Sequence, residues 1–271
     1  MKKKIHPSLR MLVEVFLTLC VLFSISVWFY SQRRESIEIL QVEFSNSLLT
    51  LHELLQESQP IILRGCPFPQ ILTKTKLSEV PRLNNFPLRA GSSTTLETYR
   101  TQTANTFPDD QAVGNPLLDN TLSRTLAKEL AIDTWINHTY SEFITELSGY
   151  FSVFKSSRVS VLLGGHGMVR PTSLYTCILV TEGTYTVSLV NKRSEQFLPA
   201  AWTYRYPPSL SVNDTPLVGE IQFIDIILRA GTMIIIPCHV IYSVSPKSIN
   251  EFHAATLIEL DSPISNLAHL F

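Results

Sequence analysis

Two histidines sit where apolar, strand-like runs are broken by Gly or Pro: His166 in "LLGGHGMVRP" and His239 in "MIIIPCHVIY". With Glu182 or Asp225 they would supply two imidazoles and a carboxylate, a donor set suited to Fe(II). Both strands would have to turn these side chains into one interior for the set to close, and a structural role for each histidine is the competing reading. His253 reads as a strand-edge residue, and His138, inside the triplet Asn137-His138-Thr139, as an exposed one. Nucleophilic catalysis finds no support. There is no Gly-x-Ser-x-Gly turn, and Cys66, Cys177 and Cys238 lie in apolar settings that raise a thiol pKa and make it inert. The "GGHG" stretch at 164–167 lacks the Lys and following helix of a phosphate-binding loop.

The elements that must position these groups change character along the chain. Residues 35–58 carry apolar residues at helical spacing, including Ile37, Leu40, Phe44, Leu48, Leu51 and Leu55, and predict one or two helices. "PIILRG" at 60–65 reads as a short buried strand ended by Gly. Residues 66–120, rich in Pro, Thr, Asn and Ser, read as loops with short strands such as 86–91. Helical patterns follow over 122–136 and 139–154. From 158 onward seven β-branched and aromatic runs, at 158–165, 174–183, 184–191, 219–228, 232–237, 240–245 and 254–260, are separated by Gly, Pro and Asn. Helices followed by many short strands predict an antiparallel sandwich or barrel with an α-helical N-terminal elaboration.

The order of these parts resembles the JmjC and cupin-like group of double-stranded β-helix proteins. The resemblance rests on "QPIILRG", a helical insert, "LGGHGMVRPTSLY" in place of that family's Gly-x-x-x-Pro-x-His-x-Asp segment, "EGTYTVSLV", and "AGTMIIIPCHVIYSV". It covers about residues 36–260. In active members the fold holds Fe(II) by two His and one carboxylate, with open positions for 2-oxoglutarate and O₂. Carried over position by position, with Gly167 and Pro171 as anchors, the first His falls on Ser173 and the carboxylate on Tyr175. With Gly231 and Pro237 as anchors, the distal His falls on Tyr242. The co-substrate Lys falls near Tyr185 if Gly183 marks the turn. No His, Asp or Glu lies between Gly167 and Thr181, so no modest register shift recovers the pair. Serine and tyrosine are poor Fe(II) ligands at neutral pH, because a phenol must first lose a proton with pKa near ~10. The resemblance therefore implies a degenerate member, a pseudoenzyme with no cofactor that binds or scaffolds protein partners. A divergent Fe(II)/2-oxoglutarate oxygenase with ligands displaced to His166 and His239 is the alternative.

Residues 11–30, "MLVEVFLTLCVLFSISVWFY", are apolar over a length that as helix rises ~30 Å, a bilayer core's thickness. The expectation is a cytosolic N-terminus (1–10), a transmembrane signal anchor (11–30) and a JmjC-like cupin domain (35–271). A cleaved signal peptide ending near Ser24–Ser26 is the rival. Two acceptor triplets, at Asn137 and Asn213, fit a glycoprotein with its C-terminal domain lumenal or extracellular, in the endoplasmic reticulum or secretory pathway. Outside Cys20 the three cysteines leave at most one disulfide, Cys177–Cys238 if their strands are neighbours; buried free thiols are the favoured state. Residues 1–34 hold six basic side chains and one acidic, which leaves 16 basic and 22 acidic in the remainder, a net of -6. With no basic cluster to neutralise phosphates, nucleic-acid binding is excluded. The expected fold class is α+β, mainly β: a double-stranded β-helix (cupin or jelly-roll) barrel with N-terminal helices, preceded by one transmembrane helix.

Overall fold

The computed structural model describes residues 7–31, 37–45, 53–55, 57–89, 94–101, 114–148, 156–238, 240–248 and 251–261. The chain divides into two compact units, Met1–Ser36 and Ile37–Phe271. The first holds one helix, Pro7–Ser31. The single-pass anchor expected there is corrected: among the described residues no helix is long and apolar enough to cross a membrane. The apolar run carries Glu14, and a carboxylate is costly to place in hydrocarbon. The expected membrane partnership and the lumenal, secretory-pathway location rested on that span and are withdrawn with it. The fold class is corrected likewise, to a mixture of helices and sheets with no spanning helix among the described residues.

The second unit is built on two sheets. Its strands are β1 (Leu40–Glu43), β2 (Ile61–Arg64), β3 (Ser156–Leu163), β4 (His166–Val169), β5 (Tyr175–Glu182), β6 (Thr184–Val190), β7 (Phe223–Arg229), β8 (Met233–Pro237), β9 (Tyr242–Pro246) and β10 (Ala254–Asp261). One sheet has six strands in the order β1-β2-β8-β5-β10-β3, the other four in the order β4-β9-β6-β7. From β3 onward the chain crosses from sheet to sheet at nearly every connection, staying in the small sheet only for the β6–β7 pair. That winding is the eight-stranded jelly roll to which cupins belong, with β1 and β2 added to one edge of the larger sheet.

Side-chain alternation divides the apolar residues between two layers. Along β5, Ile178 and Val180 face the small sheet and meet Val187, Leu189, Leu228 and Val244 there. Cys177 and Leu179 face the other way, into a layer of helices. Central strands buried on both faces must be apolar throughout, which is why "TCILV" is continuous rather than alternating. The helices are Asn120–Glu129, Ile132–Thr139 and Ser141–Ser148. Ala131, at φ 51°, breaks the first from the second. They press Leu126, Ile132, Ile136, Tyr140, Phe143 and Leu147 onto the large sheet. Ser123 closes the exposed edge of β3: its hydroxyl donates to Val161 O (2.6 Å) and accepts from Val161 N (3.0 Å).

Two elements differ from the sequence-based expectation: β4, which no predicted run covers, and β1. Residues 40–43, assigned to a helix by spacing, form β1, paired in parallel with β2 in the register Leu40↔Ile61 to Glu43↔Arg64. The apolar spacing there fits both periods. A ready partner strand decided it, because Leu40 and Val42 then pack against the helix-side core.

Candidate functional site

The mouth of the barrel, where β4 leads into β5 and β8 into β9, is where the positions singled out in the sequence should meet. β4 carries a bulge: His166 pairs with Val244, and Val169, three residues on, pairs with Tyr242, two residues back. The extra residue puts both His166 and Val169 on the inner face. The bulge needs Gly167. A Cβ there would sit 2.2 Å from the Tyr204 carbonyl carbon and oxygen. The close approach lets Met168 and Tyr204 exchange backbone hydrogen bonds with the passing segment (Met168 N to Arg205 O, 2.9 Å; Tyr204 N to Met168 O, 2.8 Å). That segment covers the outer edge of β4.

His166 is buried, and its ring meets Tyr242 edge-on, centroids 5.3 Å apart at 75°. Its Nδ1 lies 2.7 Å from Gly167 O, so Nδ1 carries the proton. Burial pushes this imidazole below its ordinary pKa and keeps it neutral. Tyr242 is buried too, and its phenol is pushed up, first by burial and then by Glu259 and Tyr204. Ser173, in the β4–β5 link, is fully buried, with no hydrogen-bond partner for its hydroxyl among the described residues.

The remaining positions are not brought to this place. Tyr175 opens β5 opposite Pro237 and Leu260, and its ring packs with the helix-side core, on the same face as Cys177 and Leu179. Tyr185 lies on the inner face of β6, but four residues from Leu189, the β6 partner of Tyr242. At strand rise that separates the two by about 13 Å. Tyr185 is fully buried, its hydroxyl has no partner among the described residues, and its ring meets His253 at 5.4 Å. Burial, reinforced by Tyr99 and Tyr206, holds the phenol well above its ordinary pKa.

His253, read as a strand-edge residue, is buried instead. Its Nδ1 lies 2.7 Å from Glu251 O. Gly183, at φ 82°, makes room for it: a Cβ there would come within 2.5 Å of the His253 ring. No local signal in the sequence marks this contact, which spans some 70 residues.

Of the displaced metal set, His166, Glu182 and Asp225 are among the described residues and His239 lies outside them. The Glu182 carboxylate accepts the Lys74 backbone N–H, and Asp225 is exposed on the outward face of β7. No group of three His, Cys, Asp or Glu that could hold a metal is found among the described residues. Cys66 is buried, its thiol pushed up to about 12 by burial, and Cys177 is raised by the same cause. Cys177 stands opposite Ile235, whereas the Cys238 N–H bonds Leu174 O, three residues along the ladder, so no disulfide joins the two. Asn137 is exposed on a helix, with Ser157 Oγ 3.3 Å from its Oδ1, and Asn213 is exposed in a turn.

No family model matches the sequence, and no curated protein matches it. Among solved structures the chain is similar to a cupin-2 domain containing protein from Shewanella frigidimarina NCIMB 400. Identity is 16%, coverage is 39% of this chain and 70% of that one, and the TM-score is 0.22. A likeness so slight carries no assignment of activity. The cupin-like description of the fold rests on the strand order.

Proposed function

We propose that this chain is a JmjC-like protein of the cupin type whose barrel has left iron chemistry behind and acts by binding or scaffolding. The carrying observation is the direction of Tyr175. A His-x-carboxylate pair must present both donors to one interior, and here the second place of the pair faces the helix-side core. The donors at the other two places fit Fe(II) no better. Ser173 offers one buried hydroxyl, and Tyr242 a phenol whose burial makes loss of its proton harder still. At the co-substrate place, Tyr185 fills space against His253 and presents no cation to a carboxylate. No step through a metal is derived from such a set.

The test is metal analysis of the purified full chain after anaerobic loading with Fe(II), with succinate release from 2-oxoglutarate followed in parallel. The expected result is far less than one iron per chain and no succinate. Near-stoichiometric iron with turnover would overturn the proposal. If the iron were then lost in H166A/H239A, the oxygenase with displaced ligands would replace it.

A further inference from the structure

The larger sheet outnumbers the smaller by two strands, and the mismatch leaves a groove of about 1170 Å³ on the flank, away from the barrel mouth. Its two sides are of different kinds. From β1 and β2 it is lined by alternate residues of one face, Gln41 with Ile62 and Arg64. From β7 it is lined by consecutive residues, Asp225, Ile226 and Ile227. Alternate residues mark a sheet face and consecutive residues a strand edge. The floor is therefore the inner face of β1–β2, where Gln41 and Arg64 are exposed and Ile62 is buried, and the wall is the edge of β7, which has β6 as its one strand partner among the described residues. Ile227 is 54% exposed there. Every second backbone N–H and C=O of such an edge awaits a partner.

The groove also has a charge direction. At one end the turn after β7 crosses to the large sheet and is held by Cys66 N to Gly231 O, 2.8 Å. Arg229 and Arg64 line that end, both exposed and neither in an ion pair among the described residues; Arg64 Nη2 donates to Gln41 Oε1 (2.7 Å). Asp225 lies four residues back along β7, about 13 Å away.

We propose that an extended peptide from a partner protein adds to the β7 edge as a fifth strand of the small sheet, antiparallel to β7, with acidic residues at its N-terminal end and a basic residue four to five positions on. Antiparallel addition is the commoner pairing and puts the N-terminal end of the guest beside Arg229. Alternation sends one acidic side chain down toward Arg64 and the next outward beside Arg229. Apolar residues opposite Leu228 and Ile226 turn toward the floor beside the buried Ile62, and the basic residue reaches Asp225. Backbone pairing provides affinity and the two charged ends provide register, the division of labour of strand addition. The surface deepens the binding role proposed above and rests on it only in that the chain acts by holding a partner. Iron loading probes the mouth and peptide binding probes the flank, so the two can fail separately.

The probe is the fluorescein-labelled peptide Glu-Glu-Ile-Thr-Ile-Lys-Ile-Thr, titrated by anisotropy with the full chain. Saturable binding is expected, weakened at least tenfold in R64E/R229E, whose exposed sites should leave the circular-dichroism melting curve unchanged. The same peptide N-methylated at the residues whose N–H faces β7 should not bind unaltered protein, a comparison that needs no variant to fold. Failure of the parent peptide to bind, or equal binding of the methylated one, would overturn the proposal. Exclusive binding of labelled dodecanoate would do so as well, and would make the groove an amphiphile site.

Discussion

Tyr185→Phe removes one atom from a fully buried ring whose hydroxyl has no hydrogen-bond partner among the described residues. A buried polar group left unsatisfied costs about 1–3 kcal/mol. Deleting the oxygen recovers that cost and loses the contacts the oxygen made, a few pairs at ~0.1–0.2 kcal/mol each, together with a void smaller than a methyl group. The balance is a stabilisation of about 1 kcal/mol. The ring keeps its edge-on contact with His253, 5.4 Å between centroids, so the packing around Gly183 is undisturbed. For a domain of 150–250 residues such a change raises Tm by roughly 2–4 °C. The assay is urea unfolding followed by tyrosine fluorescence and circular dichroism, with the m-value checked for constancy. A destabilisation beyond about 0.5 kcal/mol would refute the reasoning, because it would show that the hydroxyl has a partner, such as an ordered water or a bound ligand. It would also return Tyr185 to the roll of binding residues.

Two further outcomes follow from the same geometry. His166 and His253 are both held below their ordinary pKa by burial. The unfolded chain therefore takes up protons first as pH falls through ~6.5, and stability present at neutral pH is lost downward from there, by up to about 1.4 kcal/mol per pH unit for each histidine until its folded pKa is reached. Unfolding free energies measured from pH 7.5 to 5 should slope accordingly, and the slope should shrink in H166F; a flat profile would contradict the buried, neutral assignment. Restoring the family donors as S173H/Y175D/Y242H should not restore iron binding, because residue 175 packs half-buried against the helix-side core and a carboxylate there faces away from the other two donors. Tight Fe(II) binding by this variant would show that β5 can turn its first residue inward.

The strand-rich C-terminal half was legible because it is written in local terms, as β-branched runs of five to eight residues cut by Gly and Pro. The pattern placed β3, β5, β6, β8, β9 and β10 to within a few residues. It missed β4, whose four residues include a Gly and a bulge. It turned β1 into a helix because nothing local shows that β2 waits 20 residues on. His253 was misread for the same reason, since the pocket that buries it is made by Gly183 and Tyr185. The apolar N-terminal run suggested a span that no helix among the described residues meets.

The sequence by itself determined that no His, Asp or Glu stands between Gly167 and Thr181, a matter of composition that no folding can alter. Only the tertiary structure decided where the substitutes look: Tyr242 and His166 against each other within the barrel, Tyr175 out toward the helices, and Tyr185 at the far end of its strand. It also decided that β7 ends its sheet beside a groove floored by β1 and β2. The physical reason is that a period of two says which residues share a face but not which face turns inward, and that choice is made by partner strands distant in the chain.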